Sequence, residues 1–199
     1  MKPKPILTAI EKHCISNLLR LELFQSITKE KLNIGNGIII APCSDGDQFD
    51  DVYSHIASVC KVAVASNRIH PVALNGGAIL MSGLLPEQQC RHGECMSENI
   101  LKASEIKDIK DVFLYAHFPC AIARGNGLGV VDQGQQLMRA KKRLKEAAPD
   151  LRIKCFFHID MFDEKEGDSH KKRTYFMPKE KWNDEELILS VLHGCKGML

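Results

Sequence analysis

Three consecutive isoleucines, Ile38, Ile39 and Ile40, stand between Gly37 and the pair Ala41-Pro42. A β-branched run this short, closed by glycine before and proline after, reads as a strand buried on both faces, and such strands belong to parallel sheets covered by helices. The next stretch, "DQFDDVYSHIASVCK", places Phe49, Val52, Tyr53, Ile56, Val59 and Cys60 at helical spacing, which predicts a helix with one apolar face. The alternation continues to the end of the chain. "PVALN" reads as a strand running into Gly76 and Gly77, and "SENILKASEIKD" as a helix capped by Ser97 with Ile100, Leu101 and Ile106 inward. "DVFLYAH" follows as a strand, "QGQQLMRAKKRLKEAA" as a basic-faced helix ended by Pro149, "LRIKCFFHIDMF" as a strand and "NDEELILSVLHG" as a closing helix. Ahead of them all, "PILTAIEKHCISNLLRLELF" predicts one or two helices. This order implies an α/β fold of three layers, with a mostly parallel central sheet and helices on both faces.

The 199 residues, 44% hydrophobic, suffice for one core, so a single domain over 1–199 is expected, with 1–30 as an N-terminal helical arm. Lys and Arg number 27 against 25 acidic residues, a balance that gives no field for gathering nucleic acid or anionic lipid. "HKKR" at 170–173 reads as part of a solvated turn near Gly167. No apolar run is long enough for a membrane span, and "MKPKPILTAIEKHC" lacks the apolar centre of a signal peptide. A cytoplasmic protein is expected. Its eight cysteines are dispersed, and in a reducing compartment they serve as buried thiols or metal ligands; Cys14, Cys60 and Cys155 read as core thiols.

Two of the strands end on reactive residues. The first delivers "CSDGD", residues 43–47, and "DVFLYAH" delivers "HFPC", residues 117–120. Sites in parallel sheets lie at the carboxyl ends of strands where strand order reverses, so if these strands are neighbours, Cys43, His117 and Cys120 converge. Two thiolates and an imidazole are a donor set that zinc prefers. The same residues also allow a metal-free thiol enzyme, with Cys43 as nucleophile and His117 as base. Pro119 would stiffen the turn between His117 and Cys120. Asp47, with Asp50 three residues on, reads as a helix cap, and His158 as a satisfied strand histidine. Cys90, His92 and Cys95 in "CRHGEC" have metal-like spacing in an expected loop, but no second half-site is near. The glycines of "RGNGLGVV" lack the dinucleotide spacing.

Taken in order, "IIIAPCSDGD", "VALNGGAI" and "VFLYAHFPCAIA" resemble the beta-class carbonic anhydrases, whose strands run into Cys-x-Asp-x-Arg, Arg-Asn-Ala-Gly and Gly-His-x-x-Cys-Gly; the match spans roughly residues 36 to 160. The resemblance implies zinc on Cys43, His117 and Cys120, with Asp45 as the catalytic carboxylate that either ligates the metal or leaves it to water. It implies a zinc-dependent lyase that hydrates carbon dioxide through zinc-bound hydroxide, a small-molecule substrate, and a homodimer or higher homo-oligomer. The surplus of apolar residues near the N-terminus (Leu7, Ile10, Ile15, Leu18, Leu19, Leu21, Phe24) would then pack on the partner. The chain departs from the pattern at Asp47, where the family has arginine, at Ala116 and Ala121, where it has glycine, and at Leu74, where it has the second arginine. Without the arginine that draws it away, Asp45 is expected to stay on the metal and activity to be slow, unless Arg124 or Arg68 substitutes. Two further functions stay open: a zinc-binding relative without hydratase activity, in an interaction or regulatory role, and a hydrolase of another small linear molecule such as carbonyl sulfide or carbon disulfide.

Overall fold

A computed structural model of the chain describes residues 7–26, 32, 34–59, 68–161 and 172–196. Helix α1 (Ala9–Arg20) starts at Thr8, whose hydroxyl accepts the Glu11 amide while the Glu11 carboxylate accepts the Thr8 amide, a reciprocal cap that satisfies two otherwise orphaned donors. The isoleucine run is strand β1 (Ile38–Ala41), buried throughout. Helix α2 (Gly46–Val59), strand β2 (Ile69–Pro71), a 3₁₀ turn (Gly77–Ser82), helix α3 (Glu87–Lys107) and strand β3 (Asp111–Phe118) follow. The chain ends with α4 (Ala121–Gly125), α5 (Val130–Ala147), β4 (Arg152–Asp160), β5 (Lys172–Phe176), α6 (Lys179–Trp182) and α7 (Glu185–Lys196).

The five strands are ordered β2-β1-β3-β4-β5, all parallel except β5, which runs antiparallel to β4. The chain steps one way from β1 to β2 and the other way from β1 to β3. The reversal of strand order therefore falls between β1 and β3. Side chains alternate faces along each strand. Phe113 and Tyr115 join Ile38, Ile40, Phe156 and the Val52, Ile56 and Val59 stripe of α2 on one face. Val112, Leu114 and Ala116 join Ile39, Phe157 and Leu137 of α5 on the other. This is the three-layer α/β arrangement with helices on both faces.

Several elements differ from the sequence reading. Helix α3 begins ten residues before Ser97, whose hydroxyl bonds back to the Gly93 carbonyl at 2.9 Å inside the helix. Ile106 is 70% exposed rather than inward. Cys90, His92 and Cys95 therefore lie on a helix, where His92 and Cys95, three apart, are neighbours but Cys90, two and five residues from them, points in a different direction. The "PVALN" strand gives way to β2 ending at Pro71, and only Leu74 touches Cys43 in an isolated bridge. Strand β5 is additional: its pairing with β4, a long-range contact, makes a strand of a polar segment. Asp184 caps α7 through the Leu187 amide, and Gly194 lies within that helix rather than after it. Of the expected apolar arm, Leu7, Ile15, Leu18 and Phe24 are buried in the chain's own core. Helix α1 packs on α7, and Cys14, expected as a core thiol, is joined to Cys195 in a disulfide. Cys60 and the turn around Gly167 lie outside the described residues. None of the described helices is long and apolar enough to cross a membrane.

Helix α5 approaches α6 closely at Gly134, where a Cβ would sit 2.1 Å from Cη2 of Trp182. The indole cannot retreat freely, because its N–H donates to the Leu23 carbonyl at 2.7 Å. Gly134→Ala is expected to destabilise by about 2 kcal/mol, overpacking outweighing the better helix propensity of alanine. A urea midpoint equal to or above that of the parent would refute this.

Candidate metal centre

Cys43 lies just beyond β1, and its backbone position is set by the turn that follows β2. Leu74 pairs with Cys43 in the bridge, the Ser44 amide donates to the Leu74 carbonyl at 3.1 Å, and the Gly76 amide donates to Cys43 Sγ at 3.1 Å. Gly77 is required here. Its φ is +62°, and a Cβ would meet the Cys43 amide nitrogen at 2.6 Å. On the neighbouring strand, alternation turns His117 to the α2 face, and the chain then passes through a cis Phe118–Pro119 peptide to Cys120, the N-cap of α4.

The neighbouring ends of β1 and β3 bring Cys43, His117 and Cys120 together, all buried, with their ligand atoms within 4.8 Å of one another. Neither ring nitrogen of His117 has a hydrogen-bond partner, although both sulfurs lie within that distance. The Cys120 thiol bonds to Cys43 and holds it well below the usual thiol range, helped by His117 and the Gly76 amide against burial. The same bond, and burial, push Cys120 up. One sulfur is thus poised as a thiolate beside an imidazole without a partner. Zinc bonds sulfur at about 2.3 Å and sets its ligands about 3.7 Å apart, so a small closure of these atoms suffices. The donor set fits a zinc ion.

Asp45, expected as a fourth ligand, is not in this group. It caps α2 instead: its Oδ1 accepts the Asp47 amide at 3.1 Å and its carbonyl accepts the Gln48 and Phe49 amides. The cap expected of Asp47 thus belongs to Asp45, and Asp47 stands in the first turn. Arg124 does not reach toward this cap in any described contact. Its guanidinium pairs with Glu11 at 3.2 Å and lies over the Phe118 ring. Arg68 bonds the Asn36 carbonyl at the amino end of β1, the end opposite Cys43. Lys172 of β5 is a cation at the first turns of α2, on the Asp51 carboxylate and the Asp47 carbonyl.

Sequence reasoning missed a buried polar layer beside the cluster. His158 pairs in register with His117 and so shares its face; Thr174, in register across β5, holds His158 Nδ1 at 2.8 Å. Burial pulls the His158 imidazole down to about 4. Gln48, on α2, donates to Asp160 at 3.4 Å. The available signal was the alternation of "CFFHIDMF", which puts His158 and Asp160 on one face. A groove of about 780 Å³ between α5, α6 and α7, floored by Met138, Trp182 and Ile188, includes none of these residues.

No protein-family model matches the chain, nor does any curated protein. Among solved structures it is similar to a beta-carbonic anhydrase, CafD, of the filamentous fungus Aspergillus fumigatus, with 12% identity over 78% of this chain and 99% of that one and a TM-score of 0.42. It is also similar to a beta-carbonic anhydrase of the protozoan Trichomonas vaginalis, with 13% identity over 86% of this chain and 100% of that one and a TM-score of 0.41. A carbonic anhydrase of Streptococcus mutans overlaps at 12% identity over 85% and 99%, with a TM-score of 0.37. Overlaps this loose leave the chemistry to the side chains themselves.

Proposed function

We propose that the chain binds one zinc ion through Cys43, His117 and Cys120 and acts as a lyase of the beta-carbonic-anhydrase type, adding water to carbon dioxide. The observation that carries this reading is the meeting of two thiols and a partnerless imidazole at the point where strand order reverses. When bound, zinc supplies a Lewis acid that makes water acidic enough to act as a nucleophile near neutral pH. The chain's own residues do the rest. The Gly76 amide fixes the Cys43 sulfur, and the α4 cap fixes Cys120. The Asp47 amide at the start of α2 engages one oxygen of the Asp45 carboxylate, where the family uses arginine. With Asp45 engaged there, three protein residues would hold the ion, the number that catalytic rather than structural zinc sites use.

A second reading, a zinc protein without hydratase activity, is favoured by Asp47 at the family's arginine position and by the engagement of Arg124 and Arg68 elsewhere. Metal analysis followed by stopped-flow carbon dioxide hydration separates the two. The first reading expects one zinc per chain and hydration above the buffer rate that a zinc chelator abolishes. Zinc at that stoichiometry with no hydration would leave the second. A purified chain without zinc would reject both and return attention to the Cys43 thiolate.

A further inference from the structure

We infer that the groove between α5, α6 and α7 docks an acidic amphipathic helix of a partner protein. The groove, of about 780 Å³, takes in no residue of the Cys43, His117 and Cys120 cluster, so the inference stands apart from the zinc reading. Its floor is apolar, built from Met138 of α5, Trp182 of α6 and Ile188 of α7. Leu189 and Leu192 continue it along α7, and Leu189 is 51% exposed. A single exposed leucine is ordinary. This one lines the same hollow as the buried Trp182 and Ile188, and a continuous apolar surface of that kind marks a contact site.

Charge names the occupant. Five lysine and arginine side chains line the groove against two glutamates, a local excess of three in a chain whose whole net charge is +2. Lys142 is offset by Glu146 at 4.0 Å, and Lys145 donates to the Pro149 and Leu151 carbonyls beyond α5. Arg139, Lys141 and Lys179 make no hydrogen bond or ion pair among the described residues. A complementary partner therefore carries acids.

Shape narrows the choice further. The α5 wall runs from Gln135 to Glu146, about 16 Å at the rise of a helix, which is room for about three turns of a second helix laid along it. Apolar anchors at i, i+4 and i+7 of that helix would meet the floor, and acids beside them would meet Arg139 on α5 and Lys179 on α6. A fatty acid brings one charge at one end and leaves the remaining cations unanswered. A flat anionic membrane reaches Arg139 and Leu189 but not Trp182 or Ile188, which are buried at the floor.

The test uses the full chain and two synthetic helical peptides of about fourteen residues, both with leucines at i, i+4 and i+7, flanked by glutamates in one and by lysines in the other. Trp182 is the chain's one tryptophan, so its emission reads the groove floor. The glutamate peptide should shift that emission saturably, less so as salt is raised, and the lysine peptide should not. Arg139, Lys179 and Leu189 are all exposed, so substitutions there leave the fold, read as the urea midpoint, and the zinc content at the parent's values. Arg139→Glu combined with Lys179→Glu should weaken the glutamate peptide about tenfold and admit the lysine peptide in its place. Leu189→Asp should weaken the glutamate peptide about tenfold as well. An emission that the glutamate peptide leaves unmoved, equal responses to both peptides, or charge reversal without effect would overturn the inference. Two other occupants would show themselves without peptide binding, and either would overturn it too. Self-association in sedimentation that Leu189→Asp abolishes would assign the groove to a second copy of the chain, and a response to phosphatidylserine vesicles would assign it to a lipid surface.

Discussion

Cys120→Ser is expected to abolish stoichiometric zinc while leaving the helical signal of the chain in place. Zinc sites in small domains hold their metal with roughly 10–16 kcal/mol. A quarter of that, about 2.5–4 kcal/mol for one ligand, lowers affinity by roughly seventyfold to a thousandfold. Cys43→Ser should do the same, with the added loss of the sulfur that the Gly76 amide addresses. Cys90→Ser serves as the control, since its thiol, on α3, donates to the Leu85 carbonyl just ahead of that helix and lies outside the cluster. Because a metal bound only by the folded state stabilises it, added zinc should raise the melting temperature of the parent and of Cys90→Ser, and of neither ligand variant. Zinc stoichiometry equal to the parent's in both ligand variants would refute the site.

The second large effect is expected at Gly93, which does not touch the cluster. It sits in α3 against the 3₁₀ turn, where a Cβ would fall 2.1 Å from the Leu80 carbonyl oxygen and 2.5 Å from its carbon. The obstacle is backbone, so no side-chain rotation relieves it. Gly93→Val should cost about 3 kcal/mol or more. The 3₁₀ turn must move, and its start, Gly76 and Gly77, carries the amide on Cys43 Sγ and the close approach to the Cys43 amide. Zinc affinity should therefore fall along with stability. Urea unfolding and zinc titration of the same preparation check both, and loss of stability with unaltered zinc affinity would show that the turn absorbs the strain before it reaches Cys43.

The strands that carry the cluster were legible because their message is local. Ile38–Ala41 and Val112–Ala116 are runs without a charged residue, and a run that must be buried on both faces leaves the residues that follow it at the rim of the sheet. Cys43 and Cys120 follow directly from that. Other features depend on distant partners. Nothing within "KRTYF" announces a strand; the pairing of Phe176 with Phe156 and of Thr174 with His158 creates it. With β5 unseen, Lys172 read as part of a solvated loop, and the side chains that bury His158 and Gln48 had no visible cause. Helix α3 was shortened for another reason: Ser97 looks like a cap, yet it bonds within the helix, and Gly93 inside that helix is there for close packing. Tyr53 shows the limit of periodicity, since it lies on the apolar side of α2 by spacing but is 45% exposed, stacked on Phe49. The Asp45 cap was missed because Asp47, two residues on, offers the same chemistry.

Strand order also sets when the cluster can exist during folding. His117 and Cys120 are delivered together by one strand and one turn, and β3 meets β4 across a single crossover through α5. Cys43 arrives only when β1 closes against β3, bringing residues more than seventy positions apart into register, and contacts of such separation form late because loop closure must precede them. A cobalt ion supplied during refolding would consequently acquire its thiolate absorption only after the β3–β4 half has formed. The time at which the colour appears would clock the pairing of β1 with β3 in a chain whose other signals average over every element.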